Sequence, residues 1–239
     1  MNASTPKVLQ PVLDRPMIWY VLNALRELGF GESAPKPLLV VGHGAEQVRA
    51  AVGSHATFAD QTEQRGTGHA AAVGVAALPQ SINTVLVLHG DEPLVEAETL
   101  AAMLQTAQKT GAPIVLLTGS VPDSHGLGVV RRSAAGRVVD LLQRSEMPEP
   151  GEGAVEINFG AYVFDRRVLE EALPLLPVNP DGEYYLTHVV RWAAQRGVEI
   201  ETVPMPEPGD RMGINDPDQL RRAEAFLRRD TVVHSGNSG

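Results

Sequence analysis

The chain has 239 residues, 43% of them hydrophobic and 21% charged, and a formal net charge of −9. This length and composition fit one large soluble α/β domain, and no apolar run approaches the roughly 18 residues of a membrane span. The acidic balance argues against nucleic acid as the main partner, the absence of cysteine excludes disulfides, and no secretory signal opens the chain, so we expect a cytoplasmic protein.

The first half of the chain alternates between helical and strand periods. Helices are predicted at 16–28, 45–52, 70–77 and 96–109, and strands at 37–41, 56–60, 84–88 and 112–117. Residues 84–88 form the clearest strand, because they are almost continuously apolar and β-branched at the first two positions. This alternation indicates a mostly parallel sheet between two layers of helices.

The second half breaks the alternation. A β-hairpin is predicted around the turn at 134–136, and a polar loop at 146–153. Further strands are predicted at 155–164 and 199–203, and helices at 168–176, 184–195 and 217–228. We find no internal repeat and no linker, so we expect one domain over 1–228 and a flexible tail over 229–239.

Residues 61–70, with the sequence Gln-Thr-Glu-Gln-Arg-Gly-Thr-Gly-His-Ala, carry the most chemistry. Two glutamines lead into a Gly-Thr-Gly turn ahead of a helix of small residues. Amide groups and open glycine backbone can read a planar heterocycle without adding charge, and a helix N-terminus favours an anion. From the pattern alone, an ordinary glycine loop is as good an interpretation as nucleotide recognition.

Several short motifs occur together in one order. They are 6–9 (Pro-Lys-Val-Leu), 42–44 (Gly-His-Gly), 64–70 (Gln-Arg-Gly-Thr-Gly-His-Ala), 90–94 (Gly-Asp-Glu-Pro-Leu), 156–158 (Glu-Ile-Asn) and 182–185 (Gly-Glu-Tyr-Tyr). Together they resemble the uridylyltransferase domain of the bifunctional GlmU enzymes, which make UDP-N-acetylglucosamine. The resemblance covers about residues 1–228 and implies a three-layer, Rossmann-like nucleotidyltransferase fold with a mixed sheet.

The resemblance implies an enzyme that joins UTP to N-acetylglucosamine-1-phosphate and releases pyrophosphate. The sugar phosphate attacks the α-phosphorus in line, so catalysis is positioning and charge neutralisation. Asp91 and Asn215 are similar to the family's Mg²⁺ ligands, and Lys7 to its phosphate-binding lysine. Hard oxygen donors suit Mg²⁺, and a lysine suits a phosphoryl group. Taken alone, Asp91 would be a turn residue and Lys7 a solvated charge.

The same resemblance assigns the two ends of the substrate pocket. The residues implied at the nucleotide are Gln61, Gly66, Thr67, His89 and Gly90, and those implied at the sugar are Gly128, Gln143, Asn158 and Glu183. His69 is interpreted as a helix-start or packing residue, because the mechanism needs no general base. Tyr184 and Tyr185 are interpreted as packing residues.

The chain departs from the family pattern in three ways. The strand and glycine-rich signature that precede Lys7 in the family have no counterpart, so we expect strand edges without partners, exposed apolar surface and little or no activity. Gln143 replaces a glutamate, His188 an aspartate and Phe159 a small polar residue, which leaves the identity of the sugar open. No hexapeptide repeats follow, so neither the acetyltransferase reaction nor a particular oligomer is predicted.

Two alternatives therefore stay open beside the uridylyltransferase. One is a protein that binds a sugar nucleotide without turning it over, as an absent glycine loop and Gln143 would favour. The other is a related transferase that uses another sugar-1-phosphate. Intact Asp91, Asn215 and Lys7 favour an enzyme over a binding protein.

Overall fold

The structure is a computed structural model that describes residues 5–31, 35–122, 127–143, 146, 154–208, 214 and 217–235. The helices are α1 (Met17–Glu27), α2 (Ala45–Val52), α3 (Gly66–Ala77), α4 (Ala97–Thr110), α5 (Arg166–Ala172), α6 (Thr187–Gln195) and α7 (Pro217–Ser235). The strands are β1 (Pro11–Val12), β2 (Arg15–Pro16), β3 (Leu38–Val41), β4 (Thr57–Asp60), β5 (Thr84–Val87), β6 (Ile114–Val121), β7 (Val129–Arg132), β8 (Val138–Leu142), β9 (Val155–Asp165) and β10 (Ile200–Pro204).

The main sheet is mixed and is organised around β9, its longest strand. The order is β10-β6-β9-β7-β8, and β5 also pairs with β9. β5 runs antiparallel to the second half of β9, with Val87 opposite Tyr162, and β7 pairs near the start of β9, with Val129 opposite Ile157. The chain that leaves β5 therefore continues beside residues 158–160 of β9. This places the segment that carries Asp91 next to the strand that carries Asn158.

β3 and β4 form a separate parallel pair. Within the described ranges, β3 pairs only with β4, and β5 pairs only with β9. Both strands are apolar, as strands buried on both faces usually are, yet most of their residues are only half-buried. Each of these two strands therefore has one edge without a partner strand among the described residues.

Helices cover both faces of the main sheet, which confirms the three-layer arrangement. One core cluster joins Val75 of α3, Leu169 of α5 and Val189 of α6 to the sheet. The cluster on the other face joins α1 and α4 to the sheet through residues such as Ala24 and Leu100. Burial of these apolar faces is the main stabilising contribution.

Several predicted helix boundaries are wrong. α5 spans Arg166–Ala172 instead of 168–176, and a 3-10 turn (Leu173–Leu175) follows it. α3 begins at Gly66 instead of 70, so the Gly-Thr-Gly sequence forms its first turn. α6 begins at Thr187 instead of 184, because backbone groups of 184–186 bond to the start of α3. α7 continues to Ser235, past the predicted end at 228 and into the predicted flexible tail. Within the described part of the chain, no helix combines the length and apolar character that a membrane span requires.

Candidate active site

The end of β5 brings the two residues predicted to handle phosphate into direct contact. Lys7 opens a short 3-10 turn (Lys7–Leu9), and its ammonium donates to the Asp91 carboxylate. The side chains are 35% and 27% exposed, so the pair faces the surface. Gly90 allows this approach, because a Cβ there would lie 3.2 Å from both Val8 and Ile18. The structure therefore places one cation and one carboxylate side by side beyond the strand.

Behind Asp91 lies a partly buried pair, His89 and Glu92, whose contact was not predicted from the sequence. Nδ1 of His89 is 3.6 Å from Oε1 of Glu92, whose side chain is only 13% exposed. Gly160 of β9 packs directly on this carboxylate, since a Cβ there would lie 2.7 Å from Oε2. Burial raises the pKa of Glu92, against the opposing hydrogen bond from His89. Burial lowers the pKa of His89, but Glu92 and Asp91 outweigh that effect and raise it.

Glu92 thus connects the Lys7–Asp91 pair to the strand that carries Asn158. Glu92 is visible in the motif Gly-Asp-Glu-Pro-Leu, but from sequence alone an acidic residue after Asp91 is expected to be a second solvated charge. Only the antiparallel register of β5 on β9, which brings Gly160 against it, shows that Glu92 points inward.

The segment 61–70, called the glutamine turn below, is organised around the side-chain amide of Gln61. Its Nε2 lies 3.0 Å from the carbonyl oxygen of Gly66 and 3.2 Å from Nδ1 of His69. These contacts hold the amide across the first turn of α3. His69 is therefore more than the helix-start or packing residue that the sequence suggested, because it contacts a predicted base-reading side chain.

The start of α3 is also tied to the predicted sugar wall. Gly68 N donates to Tyr184 O at 2.7 Å, and Tyr184 N donates to Arg65 O at 2.8 Å. The Thr67 hydroxyl accepts from Leu186 N at 3.0 Å. Gly66 has a φ of 88°, and a Cβ there would lie 2.6 Å from Tyr184 O. Only glycine fits this close approach of two backbone segments.

Glu183 and the two tyrosines line this junction. A Cβ on Gly66 would lie 2.8 Å from Cβ of Glu183, so the glutamine turn and the predicted far wall of the sugar pocket meet there. The Arg65 guanidinium stacks on the Tyr184 ring at 4.9 Å, and the Tyr185 hydroxyl donates to Asp181. Both tyrosines are half-buried and precede α6, so the prediction that they begin a helix is wrong.

The predicted sugar residues form a second group on the β7–β9 side. Asn158 N donates to Gly128 O at 2.9 Å, and Nδ2 of Asn158 donates to the Tyr162 hydroxyl at 2.6 Å. The Oδ1 of Asn158 is buried and has no partner among the residues described. Nε2 of Gln143 donates to the Thr187 hydroxyl at 2.6 Å and lies close to Gly128. Three of the four predicted sugar residues are thus neighbours.

The other two departures from the family pattern are core residues. Phe159 is 2% exposed and packs under α4, on the face of β9 opposite Asn158. His188 is 3% exposed, and burial lowers its pKa, with Arg191 adding to the effect. Neither side chain reaches the surface. Phe159 acts through packing, whereas Nε2 of His188 also lies 3.4 Å from Nη1 of Arg191.

The predicted second metal ligand, Asn215, lies outside the described residues. Its neighbour Ile214 donates its backbone N–H to Asp91 O at 3.4 Å. Among the residues that the structure describes, no group of three or more His, Cys, Asp or Glu could hold a metal. Asp91 offers a single carboxylate, which fits an Mg²⁺ ion whose other ligands are substrate phosphates, water and a further side chain.

Comparison with known proteins agrees with this architecture. The chain is 39% identical over 229 residues to the bifunctional protein GlmU of Heliobacterium modesticaldum, covering 95% of this chain and 49% of that protein. The chain spans about half the length of the curated relatives it matches. The resemblance to GlmU is confirmed.

Solved structures share the fold at low identity. HddC from Yersinia pseudotuberculosis, complexed with GMP-PN, superposes with a TM-score of 0.69 at 14% identity, covering 95% of this chain and 92% of that one. Apo UDP-glucose pyrophosphorylase gives a TM-score of 0.70 at 17% identity, with the same coverage of 95% and 92%. The expected nucleotidyltransferase fold is confirmed. Residues 1–150 match the family model of the MobA-like NTP transferase domain. The chain therefore belongs to the MobA-like NTP transferase domain family.

Proposed function

We propose that the chain is a sugar-1-phosphate uridylyltransferase that forms UDP-N-acetylglucosamine and pyrophosphate from UTP and N-acetylglucosamine-1-phosphate. The observation that carries the proposal is the Lys7–Asp91 ion pair at the end of β5, between the glutamine turn and the Gly128–Asn158 group. Open α/β sheets bind ligands at such strand ends. Similarity to GlmU over 95% of the chain supports the choice of substrates.

In this proposal one set of residues binds the nucleotide and a second set binds the sugar. Gln61, Gly66 and Thr67 read the base, and His89 and Gly90 line the nucleotide. Gly128, Asn158, Gln143 and Glu183 surround the sugar, and the orphaned Oδ1 of Asn158 supports this, because a buried acceptor without a donor suits a ligand hydroxyl or amide.

The reaction needs charge neutralisation more than proton transfer. An oxygen of the sugar phosphate forms a bond to the α-phosphorus of UTP, while the bond from that phosphorus to the bridging oxygen breaks and pyrophosphate leaves. The Lys7 ammonium would turn from Asp91 to a phosphate oxygen. Asp91, together with Asn215, would hold Mg²⁺, which supplies positive charge to the phosphates when bound.

The test is release of pyrophosphate from UTP and N-acetylglucosamine-1-phosphate, with and without Mg²⁺. Asp91→Ala should abolish release, whereas the control Asp14→Ala should not, because Asp14 is 81% exposed and lies 3.9 Å from its only ion-pair partner among the described residues, Arg15. Full activity of Asp91→Ala would refute the metal assignment.

Other outcomes separate the alternatives. Tight binding of UDP-N-acetylglucosamine without any turnover would replace the enzyme by a sugar-nucleotide-binding protein. Release with a different sugar-1-phosphate, and none with N-acetylglucosamine-1-phosphate, would identify a related transferase. The bond from Gln143 to Thr187 favours testing several hexose phosphates, because it fixes an amide where the family has a carboxylate.

A further inference from the structure

The amide of Gln61 has only one allowed orientation. The group 3.0 Å away is the Gly66 carbonyl, which can only accept a hydrogen bond. The atom facing it must therefore be the amide nitrogen, since an oxygen there would place two acceptors together. This assignment does not depend on the protonation of any neighbour, unlike most amide assignments.

The same nitrogen also faces His69. Nδ1 of His69 lies 3.2 Å from Nε2 of Gln61, which has a second hydrogen to donate there. In this arrangement Nδ1 accepts that hydrogen bond through its lone pair. With both amide hydrogens taken by Gly66 O and His69, Oε1 is the part of Gln61 left for a ligand.

The helix that the Gln61 amide contacts also offers backbone donors. The N–H groups at the start of a helix have no intrahelical partner. Gly68 N is occupied by Tyr184 O, but no acceptor among the described residues takes the N–H groups of Gly66 and Thr67. The turn therefore presents one acceptor, Oε1 of Gln61, and two backbone donors from the first turn of α3.

We propose that His69 is a positioning residue that fixes the Gln61 amide and thereby selects the base. The turn then fits a base with a ring N–H beside a carbonyl, as in uracil, thymine or guanine. Cytosine presents a ring nitrogen lone pair in place of that N–H, so it would set two acceptors against each other. The inference deepens the proposed function, because it rests on a nucleotide binding at this turn.

Nucleotide affinity measured by calorimetry tests the role of His69. UTP and CTP are titrated into the wild type, His69→Leu, His69→Asn and the control His55→Leu, whose imidazole packs on Trp19. His69→Leu should lose about ten-fold in UTP affinity, equivalent to about 1.4 kcal/mol, and should narrow the preference over CTP. His69→Asn, whose side-chain oxygen can replace Nδ1 as acceptor, should recover most of it, and His55→Leu should match the wild type.

A double-mutant cycle separates positioning from a general packing defect. In a Gln61→Ala background, His69→Leu should have no further effect on UTP affinity, since the group that it positions is gone. The inference is wrong if His69→Leu and His69→Asn lose UTP affinity equally, or if His69→Leu keeps the wild-type preference for UTP over CTP. It is also wrong if His69→Leu still lowers UTP affinity in the Gln61→Ala background. A wild type that binds neither nucleotide would instead refute the proposed function, and the inference with it.

Discussion

Replacing Gly66 by alanine should damage both the stability of the fold and nucleotide binding. The residue has a φ of 88°, and an alanine held in such a left-handed conformation costs roughly 1–2 kcal/mol. Its Cβ would also lie 2.6 Å from Tyr184 O and 3.0 Å from Tyr184 N. Both are backbone atoms, so the clash cannot be relieved by rotating a side chain.

The magnitude follows from what must move. Relieving the clash separates residue 184 from the start of α3 and stretches the hydrogen bonds Gly68 N to Tyr184 O and Tyr184 N to Arg65 O, of 2.7 and 2.8 Å. At about 1 kcal/mol for each bond, added to the conformational cost, the total loss of unfolding free energy is roughly 3–4 kcal/mol.

The matched control is Gly136→Ala. Gly136 has a φ of 80°, but a Cβ there would meet no atom within 4 Å. It should show only the conformational cost, so the two variants should differ by about 2 kcal/mol in urea unfolding. UTP affinity should fall in Gly66→Ala alone. Equal losses of stability in the two variants would refute the argument that this glycine is required by the close backbone approach.

Two further substitutions test the packing around the site. Arg166→Lys should cost about 2–3 kcal/mol of unfolding free energy, because the 4%-exposed guanidinium donates to Pro79 O, Val75 O and Glu170, and one ammonium cannot replace this fork. The control Arg167→Lys on the same helix should cost much less, because the Arg167 side chain is 82% exposed and its ion pair with Asp165 lies in water. Arg191→Met should remove more stability at neutral pH than in acid. The Arg191 hydrogen bond lowers the pKa of Glu146, so this contribution is fully present above the ordinary carboxyl pKa of about 4.3 and is lost as the pH falls through the lowered pKa of the folded state. A urea unfolding series from pH 7 down to about pH 2.5 checks this, with Arg196→Met, which removes a stack on Trp192, as the control; an Arg191→Met deficit that stays as large at the acid end would contradict it.

The layered α/β architecture could be predicted because its signals are local. The strand at 84–88 was clear from its β-branched, apolar run, and β9 was predicted within one residue of its observed Val155–Asp165. The start of α6 could not be predicted, because residues 184–186 satisfy their backbone through contacts with α3, which are distant in sequence. Long-range backbone pairing of this kind has no periodic pattern.

The candidate site was predicted mainly through the family resemblance. From residue type alone, Lys7 would be a solvated lysine and the glutamine turn an ordinary loop. The structure adds the contact of Lys7 with Asp91 and the contacts of the Gln61 amide with Gly66 and His69. Glu92 and His69 were missed because their roles depend on which way a side chain points. That direction comes from the register of β5 on β9 and from the exact first residue of α3, both of which sequence patterns resolve poorly.

The hydrogen bonds between residues 65–68 and 184–186 couple these two segments, so each segment fits only a matching partner. A loop exchange meant to alter base preference would carry over only 61–69 and would leave the new turn against a foreign Glu183-Tyr184 backbone. Base and sugar preference should therefore change together, whether by recombination or by design. A successful chimera of this protein needs both segments from the same parent.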